Sequence, residues 1–168
     1  MKLAILEDRP WIVLEMIKEI KELGIDEVLV VYYRDGKRDE KKIEEIKAKY
    51  ESEQVQWEEI DNLSFEKTMD RLFADNQRIF FFDLALNDKA EYFEERINVQ
   101  YATKRFEQGD TRIWFYTTSD EYNINKINTK FENHSIPVVD YIPSEGKLVF
   151  SIPDVKRIIE EQMEIIEG

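Results

Sequence analysis

Cysteine is absent from the 168 residues, which excludes disulfide frameworks, thiol nucleophiles and thiolate zinc sites together and fits a reducing compartment. Histidine occurs once, at His134, so a multi-histidine metal site is excluded as well. Glycine (5) and proline (4) are too scarce for a flexible linker. Neither an internal repeat nor a low-complexity tract interrupts the chain, and residues 1–168 are expected to form a single domain. No run approaches the ~20 consecutive apolar residues of a membrane span. Positive charge is the remaining shortage: 24 Lys and Arg stand against 37 Asp and Glu, a formal net charge of −13. That sign repels phosphate backbones and anionic headgroups alike, so neither nucleic-acid nor membrane binding is expected. A cytoplasmic address is the default.

Apolar residues supply 42% of the chain and aromatics 12%, too much for a disordered segment despite the high charge. Short apolar runs alternate with stretches of helical periodicity, the pattern of an α/β protein with a mainly parallel sheet. Leu3-Ala4-Ile5-Leu6 is apolar on both faces, as a central parallel strand should be, and stops at Glu7-Asp8. Pro10 suits a first helical turn. Val13, Ile17, Ile20 and Leu23 then recur at helical spacing before Gly24 supplies a stop. Residues 28–33 are a second buried-type strand. A charged helix over about 38–51 carries a narrow stripe of Ile43, Ile46 and Tyr50, and residues 55–60 alternate like an edge strand. Asn62 or Ser64 is a candidate cap for a helix with Phe65, Met69, Leu72 and Phe73 inward.

Ile79-Phe80-Phe81-Phe82 is the most apolar strand and ends in Asp83. A helix is expected over about 89–107, then a strand over 113–116 that runs into Thr117 and Thr118. Further strands are expected over 137–142 and 147–150, and a last helix follows Pro153. His134 falls in a polar loop and is expected to be exposed.

In open parallel sheets ligands bind beyond the carboxyl ends of the strands, where the strand order reverses. The residues to interrogate are therefore Glu7, Asp8, Asp83, Thr117, Thr118 and Ser144. Acids converging in one crevice repel one another, so without a countercharge at least one is pushed towards its neutral form. A divalent cation resolves the conflict, and oxygen-only donors favour Mg²⁺ over zinc or copper. Taken singly, each acid or threonine is explained by a polar loop or a helix cap; taken together they mark an acidic pocket. Trp11, beside the acidic pair, is assigned either to the pocket mouth or to the packing of the first helix.

Leu3-Ala4-Ile5-Leu6-Glu7-Asp8-Arg9-Pro10 resembles the opening of response-regulator receiver domains, as does Asp83-Leu84-Ala85-Leu86-Asn87-Asp88 their phospho-acceptor strand. Tyr116-Thr117-Thr118 is similar to the hydroxyl-bearing end of that family's strand four, and Asp140-Tyr141-Ile142-Pro143 to its strand five. The resemblance implies a flavodoxin-like, receiver-type three-layer α/β/α sandwich with about six strands. It also implies two-component signalling, with Asp83 as phospho-acceptor, Glu7 and Asp8 joining it around Mg²⁺, Thr117 bonding a phosphoryl oxygen and Tyr141 as the switch aromatic.

Two departures stand out. The lysine expected after the switch aromatic is replaced by Ser144, which removes the countercharge for a phosphoryl group. The interval from Asp8 to Asp83 exceeds that of a minimal receiver by roughly one helix and one strand. The surplus, at about 38–60, should widen the sheet beyond its second strand. The expected function is a non-enzymatic signalling module that meets a kinase or effector protein, with a second copy of the chain as a further candidate partner. The alternatives are a degenerate, non-phosphorylated interaction domain and an Mg²⁺-dependent phosphohydrolase. The latter wants an acid two residues after Asp83, where the chain has Ala85.

Overall fold

Leu3 and Ile5 point to one apolar layer while Ala4 and Leu6 point to the other, which is why Lys2–Glu7 forms a strand buried on both faces, β1. The computed structural model describes residues 1–34, 40–86, 90–117, 121–136, 140–142, 147–149 and 152–167. After β1 come a 3-10 turn, Pro10–Val13, and helix α1, Leu14–Lys21. Strand β2 is Glu27–Tyr33, α2 is Glu40–Ser52, β3 is Gln56–Ile60 and α3 is Phe65–Phe73. Strand β4 is Arg78–Asp83, α4 is Ile97–Glu107, β5 is Ile113–Tyr116 and α5 is Glu121–Lys130. The chain closes with β6, Asp140–Ile142, β7, Lys147–Val149, and α6, Ile152–Glu167.

Five strands form one sheet in the order β3-β2-β1-β4-β5, and every pair in it is parallel. The sheet separates two hydrophobic layers. On one side Ile17 and Ile20 of α1, Ile46 and Tyr50 of α2, and Val155, Ile158 and Ile159 of α6 cover Leu3, Ile5, Val28, Val30 and Phe81. On the other side α3, α4 and α5 cover Ala4, Leu6, Phe80, Phe82 and Phe115. The architecture is thus the three-layer α/β/α arrangement with a mainly parallel sheet that the strand pattern predicts. Burying each large apolar side chain contributes about 1.5–3 kcal/mol. Among the described residues the closest pair of rings is Phe73 of α3 stacked on Phe80 of β4, with ring centroids 3.6 Å apart.

Charge follows strand direction. β1 and β4 start with Lys2 and Arg78, partners in register, and end in acids. At the starting edge Arg78 Nη2 donates to Glu27 Oε1 at 3.1 Å and Lys2 Nζ to Asp75 Oδ2 at 2.7 Å. Arg112 fastens the same edge, its guanidinium donating to the carbonyls of Phe73, Asp75 and Arg78 and to both oxygens of Asp110.

The surplus segment lies where its sequence puts it: β3 pairs with β2 at the edge of the sheet, and α2 buries only Ile43, Ile46 and Tyr50. Gly24 and Gly109 end α1 and α4 with φ of +81° each, a conformation that side chains with a Cβ adopt only at a cost. Ser64 precedes α3, yet its hydroxyl turns outward to accept from the Asp61 amide and donate to Asp61 Oδ1.

Four details differ from the sequence reading. The strand expected over 137–142 does not extend the main sheet in its described part: β6 pairs antiparallel with β7 in a separate hairpin. A partner a few residues away closes at little loop entropy. The chain touches the edge of β5 earlier, where the Phe115 amide donates to the His134 carbonyl and the Ile136 amide to the Phe115 carbonyl. The helix expected from 89 begins instead as a 3-10 turn, Phe93–Glu95, before α4. His134 is not free in solvent, because its ring stacks on Trp114 and meets Phe106 edge-on, giving those two rings a planar neighbour. Among the described residues no helix is long and apolar enough to cross a membrane.

Candidate functional site

Parallel pairing of Leu6 with Phe82 brings the last residues of β1 and β4, Glu7 and Asp83, to the same edge of the sheet. From β1 the chain runs outward through β2 to β3, then returns to β4 on the other side of β1. The β1–β4 gap is therefore the switch point at which α/β sheets open a crevice. Asp8, the first residue after β1, completes the group: one carboxylate oxygen from each of Glu7, Asp8 and Asp83 lies within 4.8 Å of the others. The carboxylates are buried, with Glu7 and Asp83 each 1% exposed and Asp8 3%.

Each acid is held differently. Glu7 Oε1 accepts the amides of Asp8 at 3.1 Å and Arg9 at 3.0 Å, folding the chain back over the strand end. Glu7 Oε2 accepts the Tyr116 hydroxyl at 2.5 Å. Asp83 Oδ1 accepts the Ala85 amide at 3.1 Å, while Oδ2 is buried and has no hydrogen-bond partner among the described residues. Arg9 Nε stands 3.9 Å from Asp8 Oδ1. Among the described residues neither Glu7 nor Asp83 forms an ion pair, in contrast to the compensated Lys2 and Arg78 at the opposite edge.

Burial beside like charges shifts Glu7 and Asp83 as the sequence reading expects. The Glu7 carboxyl is held well above the usual carboxylate range, first by desolvation, then by repulsion from Asp83 and Asp8, against a smaller opposing effect of the Tyr116 hydrogen bond. Asp83 is pushed up to about 7, again chiefly by desolvation, with the Glu7 side chain opposing the rise and Asp8 adding to it. Tyr116 stays a neutral phenol, because burial and the neighbouring acids raise it well above its ordinary value.

The walls come from distant parts of the chain. Tyr50 of α2 donates its hydroxyl to the Pro10 carbonyl, tying the surplus helix to the turn behind the acidic pair. Asn98, fully buried at the start of α4, donates from Nδ2 to the Asp83 carbonyl at 2.7 Å. Arg96 Nη1 donates to the Leu84 carbonyl at 3.0 Å. Trp11 packs against the core on the α1 side of the sheet and carries Lys42 Nζ 4.2 Å above its ring.

Among the residues singled out in the sequence, Glu7, Asp8 and Asp83 come together. Thr117 is 2% exposed and directly follows Tyr116, the register partner of Asp83. The Tyr141 backbone lies in β6, outside the five-stranded sheet. Thr118 and Ser144 lie outside the described residues. Sequence reasoning missed the roles of Tyr116, Tyr50 and Asn98. A signal existed for Tyr116: it shares the alternation of Trp114 on its strand, so its hydroxyl is carried to the strand end on one side of the sheet. Comparison with protein-family models, with curated proteins and with solved structures finds no match to this chain.

Proposed function

We propose that the chain is a receiver-like signalling module that acts through contacts with another protein, with Glu7, Asp8 and Asp83 as holders of Mg²⁺ and Asp83 as phospho-acceptor. One observation carries the reading: acids from the ends of two adjacent parallel strands converge, buried, at the switch point of the sheet. The donor set fits a hard divalent cation, being all oxygen and supplied by three buried carboxylates within 4.8 Å of one another. When bound, Mg²⁺ would supply positive charge beside Glu7 and Asp83, which an incoming phosphoryl group needs.

The remaining chemistry belongs to the protein. The Ala85 amide fixes Asp83 Oδ1 and leaves Oδ2 as the nucleophilic oxygen. In transfer, Oδ2 forms the bond to phosphorus while the bond from phosphorus to the donor's leaving group breaks and the leaving group keeps its electron pair. Thr117 is proposed to bond a phosphoryl oxygen, and Tyr141 to follow the change.

A second reading, a degenerate and non-phosphorylated interaction domain with this fold, is favoured by the burial of Asp83, at 1% exposure, and by serine at position 144. A beryllofluoride titration in the presence of Mg²⁺, followed by tryptophan fluorescence, tests the two. A saturable response lost in Asp83→Asn supports the active module. Mg²⁺ binding without a beryllofluoride response supports the degenerate one, and absence of any divalent binding overturns the proposed metal site.

A further inference from the structure

Tyr116 reaches the acid cluster from β5, the strand on the far side of β4 from β1. Its hydroxyl donates to Glu7 Oε2 at 2.5 Å, and the Leu6 carbonyl lies 3.4 Å from the Tyr116 hydroxyl oxygen. The other Glu7 oxygen accepts two backbone amides. Both oxygens of this carboxylate are therefore engaged by fixed donors, two of them main-chain and one on a phenol that is itself 1% exposed. Asp83 contrasts with it, since its Oδ2 is buried and has no partner among the described residues.

Resting on the metal-site reading above, we propose that Tyr116 determines which divalent cation the pocket accepts, by restraining Glu7 to a single orientation. A carboxylate held at both oxygens cannot rotate to offer the pair to one ion. Mg²⁺ takes six ligands in a near-rigid octahedron and uses carboxylates one oxygen at a time. Ca²⁺ is larger, takes six to eight oxygens and readily uses a carboxylate through both. The Tyr116 bond thus penalises Ca²⁺ more than Mg²⁺. Tyr116 is in this sense a positioning residue that acts through Glu7 and touches no ion itself.

The test is the ratio of Mg²⁺ to Ca²⁺ affinity, measured by calorimetric titration of the full chain and of Tyr116→Phe, which deletes one hydroxyl and leaves the ring that packs in the core. The ratio is expected to fall about tenfold, the equilibrium factor that one net hydrogen bond is worth. Ca²⁺ binding should tighten while Mg²⁺ binding changes little. Replacing Tyr116 by 4-aminophenylalanine, which restores a donor at the ring tip, should bring the ratio back. A merely structural role would weaken both ions together and would overturn the proposal, as would an unchanged ratio. If Tyr116→Phe fails to fold, the wild-type chain decides: Mg²⁺ bound more tightly than Ca²⁺ supports the proposal, and equal or tighter Ca²⁺ binding overturns it. A wild-type chain that binds neither ion instead overturns the metal site on which the proposal rests.

Discussion

Glu7 and Asp83 occupy equivalent places on neighbouring strands that run the same way, one residue past the Leu6–Phe82 register pair, and neither has an ion-pair partner among the described residues. Two like charges placed so close in a buried site disfavour joint ionisation. Folding therefore costs something here that only a proton or a cation repays.

The pH dependence of stability follows. Asp83 stands at about 7 in the folded protein against an ordinary 3.8. Folded protein thus holds a proton that the unfolded chain releases in that interval, and stability falls as pH rises from about 4 to about 7. In EDTA the unfolding free energy should drop by roughly 3–4 kcal/mol across this range, at about 1.4 kcal/mol per pH unit. Asp83→Asn should make the profile shallower, with the raised Glu7 leaving a residual slope of the same sign, and urea unfolding at several pH values measures both.

Added Mg²⁺ should offset part of that loss at pH 8. For millimolar affinity, ~10 mM ion stabilises by about 1.4 kcal/mol, since stabilisation grows as RT ln(1 + [L]/Kd). Thermal unfolding with and without EDTA checks this. A melting temperature in Asp83→Asn that responds to Mg²⁺ as the wild type does would count against the assignment of Asp83 as a ligand.

Ser144→Lys should strengthen the beryllofluoride response of a chain that responds weakly as it stands. Two unit charges ~4 Å apart attract by about 4 kcal/mol at an effective dielectric of ~20, and a charged hydrogen bond returns about 1.5–3 kcal/mol of that. Fluorescence titration of wild type and variant side by side reads the difference.

Arg112→Ala should destabilise the fold by about 2–4 kcal/mol, because several carbonyls at the starting edge of the sheet lose a charged donor. Arg112→Lys should recover little. An ammonium cannot reach the Phe73, Asp75 and Arg78 carbonyls together as the guanidinium does. Chemical denaturation of the two variants tests the pair of statements.

Phe80→Ala should cost about 3–5 kcal/mol by leaving a cavity under Phe73. Phe80 is fully buried and lies on the side of the sheet away from the acids, whereas Phe81 shares their side. Mg²⁺ affinity of the folded fraction should therefore be unchanged, which separates the structural effect from any effect on the site.

What the sequence determined by itself was whatever depends on short spacing. Apolar runs placed β1, β2, β4 and β5, alternation placed β3, and acids after two of these strands named Glu7, Asp8 and Asp83. Parallel strands share their carboxyl edge, so strand order and direction brought the acids together without further information. Only the tertiary structure decided what surrounds them. The Tyr116–Glu7, Tyr50–Pro10 and Asn98–Asp83 bonds join residues 109, 40 and 15 apart, and each depends on the register of strands or the docking of a helix, which no local pattern encodes. The same holds for His134, whose polar neighbours in the chain suggest solvent while β5 and α4 supply Trp114 and Phe106. The β6–β7 pairing was likewise invisible, because a short apolar strand reads alike whether it joins a sheet edge or a hairpin. Periodicity records which face of an element is apolar, whereas the identity of what meets that face is set by packing across the whole chain.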